Sequence, residues 1–183
     1  SLSFVVSYLG FIMPLLVLST ISYDEFDNGS AFLFTLPISR RGYVIEKYCF
    51  GMLLEIISLA ISLALAVCVG AAMKSTEISD ALFSAPFIFI AVVVLLAVAI
   101  PLQIKFGAEK GRIAMIVSVG ITVAIGYGIV KAANWLGLDM ATLEAHVSKL
   151  HPGVLIVGVT AFTLCVLLLS MKISITILRR KEF

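Results

Sequence analysis

Apolar runs of about 18 to 25 residues, long enough for a helix to cross a bilayer, occur five times in this chain, at 2–21, 48–73, 86–104, 113–130 and 153–171. With 61% hydrophobic and 13% charged residues, the composition falls outside the soluble globular range. The expected fold is therefore all-α: a polytopic transmembrane helical bundle forming a single domain over 1–183. No nucleic-acid surface is suggested. Cys49, Cys68 and Cys165 lie within apolar runs, far apart and without a C-x-x-C pair, so they are expected to be reduced packing residues and not a metal or disulfide framework.

The basic residues set the orientation. Arg40, Arg41, Lys47, Lys105, Lys110, Arg112, Lys172, Arg179, Arg180 and Lys181 fall on one side of the bilayer, against Lys74, Lys131 and Lys149 on the other. An excess of Lys and Arg marks cytoplasmic loops, which puts the first group and the C-terminus in the cytoplasm. Five spans then leave Ser1 outside, uncharged and with no basic stretch before the first run. The expectation is a preceding span, six in the complete protein, with an N-out protein processed at Ser1 as the alternative.

On the cytoplasmic side, 22–47 is the longest water-facing stretch. Ser22 followed by Glu25 has the form of a capping box, and Asp24, Glu25 and Asp27 suit the first turn of a helix beginning near Tyr23. Phe26, Ser30, Leu33 and Leu36 recur at helical spacing, and Phe32 and Phe34 widen the apolar surface. Pro37 ends the segment, and Ser39 can cap the next helix, which carries Arg40 and Arg41. A polar face that is acidic, where membrane anchors are rich in Lys and Arg, favours a docking element over an interfacial anchor. Asp24, Glu25, Phe26, Asp27, Phe32, Leu33 and Phe34 are the candidate docking residues.

Within the spans, Glu55 stands about two turns beyond Tyr48, with Ser58, Ser62, Ala66 and Gly70 following on the same face. Such a stripe faces protein or water. Its small residues suit close helix packing, whereas an intramembrane carboxylate is a functional candidate, or the partner of a cation such as Lys47 or Arg112. Ser118, Thr122 and Gly126 form a second small stripe, expected to pack. Pro14 and Pro101 are expected to kink their helices. Outside, Leu136, Met140, Leu143, Val147 and Leu150 predict an amphipathic helix over 136–150, capped by Asp139 and followed by Pro152. His146 and His151 lack metal-ligand spacing.

Two stretches together resemble a known family. Asp24-Glu25 through Leu36-Pro37-Ile38-Ser39-Arg40-Arg41, then Val44, Lys47 and Tyr48, resembles the acidic helix, "LP-x-S/T-R" and "K-Y" signature of short bacterial type-2 ATP-binding-cassette (ABC) transporter permeases. Phe106-Gly107-Ala108-Glu109-Lys110-Gly111-Arg112 resembles a second signature of that family. The resemblance implies an exporter permease of six spans in the bacterial cell membrane, paired with a second permease copy or a homologous permease. It also implies a separate ATPase subunit that holds ATP and Mg and docks on the cytoplasmic helix. The cargo would be a peptide, an antimicrobial or another amphipathic compound. This chain supplies no cofactor site and no enzyme chemistry, since G-x-x-x-x-G-K-[ST] is absent.

Two rivals compete with that reading. Asp24-x-x-Asp27-Asn28-Gly29 superficially resembles the metal-binding start of membrane phosphatidyltransferases, but its glycine is displaced and no second acidic set completes a two-metal site. A proton-coupled secondary transporter using Glu55 would need no ATPase.

Overall fold

Each apolar run lies within one helix of the computed structural model, which describes residues 2–26, 29, 32, 35, 38–73, 77–107, 110–135 and 152–180. The helices are α1 (Leu2–Glu25), α2 (Arg40–Met73), α3 (Glu77–Phe106), α4 (Gly111–Trp135) and α5 (Pro152–Arg180), with no strand among the described residues. All five are long and apolar enough to cross a membrane. Each overshoots its apolar run because, once nucleated, adding a residue gains a backbone hydrogen bond at little further cost. The segment expected to form an outer helix, 136–150, lies outside the described residues.

α3 is the axis of the bundle. It packs against each of the other four helices, and 61% of its most apolar stretch is buried, compared with 11% for α4. Its sequence explains the place: between Phe87 and Ile104 it has no charged side chain, so every face can be covered. α1 lies against α2 and α3, α5 lies against α3 and α2, and α4 packs chiefly on α3. Val17, Leu18 and Ile21 of α1 meet Val92, Val93, Leu96 and Ile100 of α3 in the core, with Val44 of α2 and Leu178 of α5. Lipid tails are as apolar as leucine, so these contacts hold the bundle through packing and hydrogen bonds more than through exclusion from water.

The small stripe on α2 is buried throughout: Glu55, Ser58, Ser62, Ala66 and Gly70 all face protein. The stripe on α4 behaves differently. Ser118 is buried, but Thr122 turns its hydroxyl back to Ser118 O of its own helix at 2.8 Å, and Gly126 faces open space. The three cysteines are free, yet all are exposed on the outer surface of the bundle, so they are not the packing residues expected. Cys49 and Cys68 lie off the small stripe that marks the protein-facing side of α2.

Helix ends follow local chemistry. Ser39 Oγ accepts the N–H of Gly42 at 3.0 Å, and Ser39 O accepts that of Tyr43, so Ser39 caps α2 as its sequence suggests. Gly107 closes α3 with φ of 75°, in the left-handed region where only glycine is unstrained, and its N–H is donated to Gln103 O. The capping box expected at Ser22 is not formed. Ser22 lies inside α1 and its hydroxyl is donated to Leu18 O at 3.1 Å, because the helix that crosses the membrane simply continues through it. Asp24 and Glu25 therefore stand in the last turn of a helix, not the first.

Candidate functional site

That reversal has an electrostatic cost, since carboxylates near a helix C-terminus face the negative end of the helix dipole and α1 has no basic residue in its last turn. The compensation comes from α2. Lys47 Nζ lies 2.7 Å from Asp24 Oδ2, and the Tyr43 hydroxyl donates to the same oxygen at 3.1 Å. Tyr43 and Lys47 are one turn apart on α2, so both side chains leave the same face. Lys47 Nζ also stands 5.1 Å from the centre of the Tyr43 ring, a cation–π distance. The Lys47 side chain is 7% exposed and that of Asp24 28%, so the pair is largely shielded from water. Asp24 is thereby turned inward and leaves the free acidic surface that its sequence position suggested.

Two further joints lie at the same end of the bundle. Arg40 Nη1 donates to Leu178 O and Arg179 O, each at 3.1 Å, so the first residue of α2 holds the last carbonyls of α5. Gln103 Nε2 of α3 donates to Ser22 Oγ of α1 at 2.7 Å. Gly111 starts α4 beside them, and a Cβ there would fall 2.7 Å from Gln103 Nε2. The two glycines of the 106–112 stretch thus have separate causes, a left-handed backbone at Gly107 and a close approach at Gly111. A cavity of about 420 Å³ opens here, lined by Ser19, Ser22, Tyr23, Phe26, Gln103 and Met115 among others.

The ends of α1, α3 and α5 and the starts of α2 and α4 therefore meet on one side, which carries Arg40, Arg41, Lys47, Lys105, Lys110, Arg179 and Arg180. Lys131 belongs to the opposite end of α4. On the basic side Phe26 and Phe32 are each 70% exposed, and Tyr23 is 79% exposed. Glu25 is half-buried nearby. Asp27, Leu33 and Phe34 lie outside the described residues.

Glu55 belongs to a separate region. It is fifteen residues past Arg40, roughly 22 Å along the axis of α2. It is completely buried, and neither carboxyl oxygen has a hydrogen-bond partner among the described residues. Lys47, one expected partner, is committed to Asp24, and the side chain of Arg112 lies outside the described set. Ser58 Oγ reaches across to Leu9 O of α1 at 2.8 Å, whereas Ser62 Oγ turns back to Leu59 O of its own helix. Ser58 thus ties α2 to α1, and Ser62 does not take part.

Sequence reasoning missed a third polar node. The Tyr48 hydroxyl meets Ser170 Oγ at 2.5 Å and Ser174 Oγ at 2.9 Å, and Ser170 Oγ is donated to Ala97 O of α3. Four hydroxyl and carbonyl groups join α2, α3 and α5 in the interior. Serines one turn apart at 170 and 174 on α5 were the signal available. No group of three or more metal-ligating side chains occurs among the described residues.

A bundle of five helices able to cross a membrane, cross-tied by polar joints at one basic end, is a multi-pass membrane domain. The family model described as ABC-2 family transporter protein matches residues 1–179 of the 183, and the chain belongs to that family. It is an ABC permease, a membrane subunit of a kind that associates with an ABC ATPase and is generally not itself an enzyme. No curated protein and no solved structure matches the chain.

Proposed function

We propose that this chain is the permease subunit of a bacterial ABC exporter, lying in the cell membrane with its C-terminus in the cytoplasm. Two permeases, identical or homologous, form the pathway, and a separate ATPase subunit binds ATP and Mg. The ATPase docks on the segment between α1 and α2. The observation that carries this reading is the exposure of Phe26 and Phe32, 70% each, at the basic end where the helix ends converge. Large aromatic side chains left in water beside a charged rim have the composition of a protein-binding core. Glu25, Asp27, Leu33 and Phe34 belong to the same segment and complete the docking set, which Asp24 leaves because Lys47 and Tyr43 hold it. Basic residues gather on this side, which supports its cytoplasmic placement. The weakly covered α4, with Ile116, Val123 and Tyr127 exposed, offers a face to lipid or to the second permease. The cargo is an amphipathic compound such as a peptide or an antimicrobial, in keeping with an interior that is mostly apolar with scattered hydroxyls.

Phe32→Asp tests the docking. Loss of an interface anchor typically costs about 2 kcal/mol or more, roughly a thirtyfold weaker complex. The variant should fold and insert normally but lose most of its copurifying ATPase. Wild-type recovery of the ATPase with both Phe26→Asp and Phe32→Asp would place the dock elsewhere.

A further inference from the structure

The segment between α1 and α2 begins after a residue held by α2 and ends at a residue that holds α5. Asp24, in the last turn of α1, gives one carboxyl oxygen to both Lys47 and Tyr43. Arg40, the first residue of α2, is bonded to the terminal carbonyls of α5. Both joints thus have a partner within the first eight residues of α2. We propose that Asp24 and Arg40 are positioning residues for energy coupling, making the root of α2 a lever that receives force from the segment and passes it to α1 and α5. The proposal rests on the reading of this chain as a permease driven by a docked ATPase.

The chemistry of the joint supports that role over a merely solvated ion pair. Lys47 is buried along its stem, with its ammonium directed at Asp24 and beside the Tyr43 ring. A lysine on the outer surface would have no such enclosure, and exposed pairs hold little. Among the described residues Lys47 has one other carboxylate in reach, Glu46 at 3.3 Å, which is 57% exposed. Once Asp24 is neutralised, the ammonium follows Glu46 toward solvent and the end of α1 is released from α2. The spans keep their packing, because Val17, Leu18 and Ile21 remain in the core. A push on the segment is then taken up by the open joint: α1 and the root of α2 no longer move together, and the surroundings of Cys49 no longer change with them.

The test uses the tagged permease with its copurifying nucleotide-binding subunit, reconstituted in lipid. Cys49 is exposed on α2, two residues past Lys47, and is retained as the labelling site while Cys68 and Cys165 are replaced. The readout is the maleimide-labelling rate of Cys49 with and without ATP and vanadate. Couplings between sites are commonly about fivefold or more, and a change of that size is expected in the otherwise wild-type protein. Asp24→Asn and Lys47→Met should retain the ATPase subunit and its hydrolysis while losing the nucleotide-dependent change, and the double variant Asp24→Lys with Lys47→Asp should restore it. Arg40→Gln should weaken the change in the same way. A full response in both single variants at 24 and 47, a failure of the swap to restore it, or loss of the assembled complex in the single variants would each overturn the lever. Absence of any nucleotide-binding subunit from the wild-type preparation would overturn the ATPase-driven reading itself, and the lever with it.

Discussion

Gly111→Ala should change sign with its background. In the native protein the new methyl carbon falls 2.7 Å from Gln103 Nε2 and 3.3 Å from Ser22 Oγ, closer than the first contact allows. Gln103 can retreat, since its side chain borders the adjacent cavity. In doing so it gives up its 2.7 Å bond to Ser22. Interhelical side-chain hydrogen bonds in membrane proteins are worth about 0.6 kcal/mol on average and up to about 1.7. Against that loss, alanine is favoured over glycine in a helix by up to about 1 kcal/mol, and by less at the first position of α4. The single substitution should therefore be neutral to destabilising by about 1 kcal/mol. In a Gln103→Ala background the obstacle and the bond are both gone, and Gly111→Ala should become stabilising. A double-mutant cycle, read from reversible unfolding in mixed detergent micelles, should give a coupling of about 1 kcal/mol. An identical effect of Gly111→Ala in both backgrounds would refute the close approach of α3 and α4 on which the reasoning depends.

Other substitutions probe the remaining joints. Tyr48→Phe removes the partner of fully buried Ser174 and should lower stability by about 1 kcal/mol, seen as a reduced thermal midpoint in detergent; an unchanged midpoint would speak against the node. Gly107→Ala should cost about 1 to 2 kcal/mol because φ there is 75°, with Gly107→Asn less costly since asparagine tolerates that region. The test is the order of the three proteins in the same melt. Glu55→Gln should assemble at wild-type yield, because neither oxygen has a partner to lose among the described residues. Breaking a buried ion pair costs about 3 to 5 kcal/mol, so a collapse in assembly would reveal a cation bound to Glu55.

The spans were legible in the sequence because the bilayer demands long, unbroken apolar runs, and Ser39 was legible as a cap because its partners are three and four residues away. Asp24 was not. Its neighbours resemble the opening of a helix, and only the continuation of α1 through Ser22 shows that they close one. Its partners Tyr43 and Lys47 lie beyond the intervening segment, where local pattern carries no information on direction. Tyr48 and Ser174 meet across 126 residues, a pairing set by helix packing alone. The extent to which each helix is covered was not legible either: the choice between lipid and protein depends on where neighbouring helices lie, as α3 and α4 illustrate at their opposite extremes of burial. Glu55 and Ser58 were found by their chemistry, yet the contact of Ser58 with Leu9 O required the fold.

Whether a separate ATPase drives this permease is measured by purification of the tagged permease from its own membrane in mild detergent, followed by an ATP-hydrolysis assay. A nucleotide-binding subunit is expected in the preparation, with hydrolysis that disappears when the phosphate-binding lysine of that subunit is replaced. A permease that purifies alone, with no ATP hydrolysis in the preparation, would contradict that expectation.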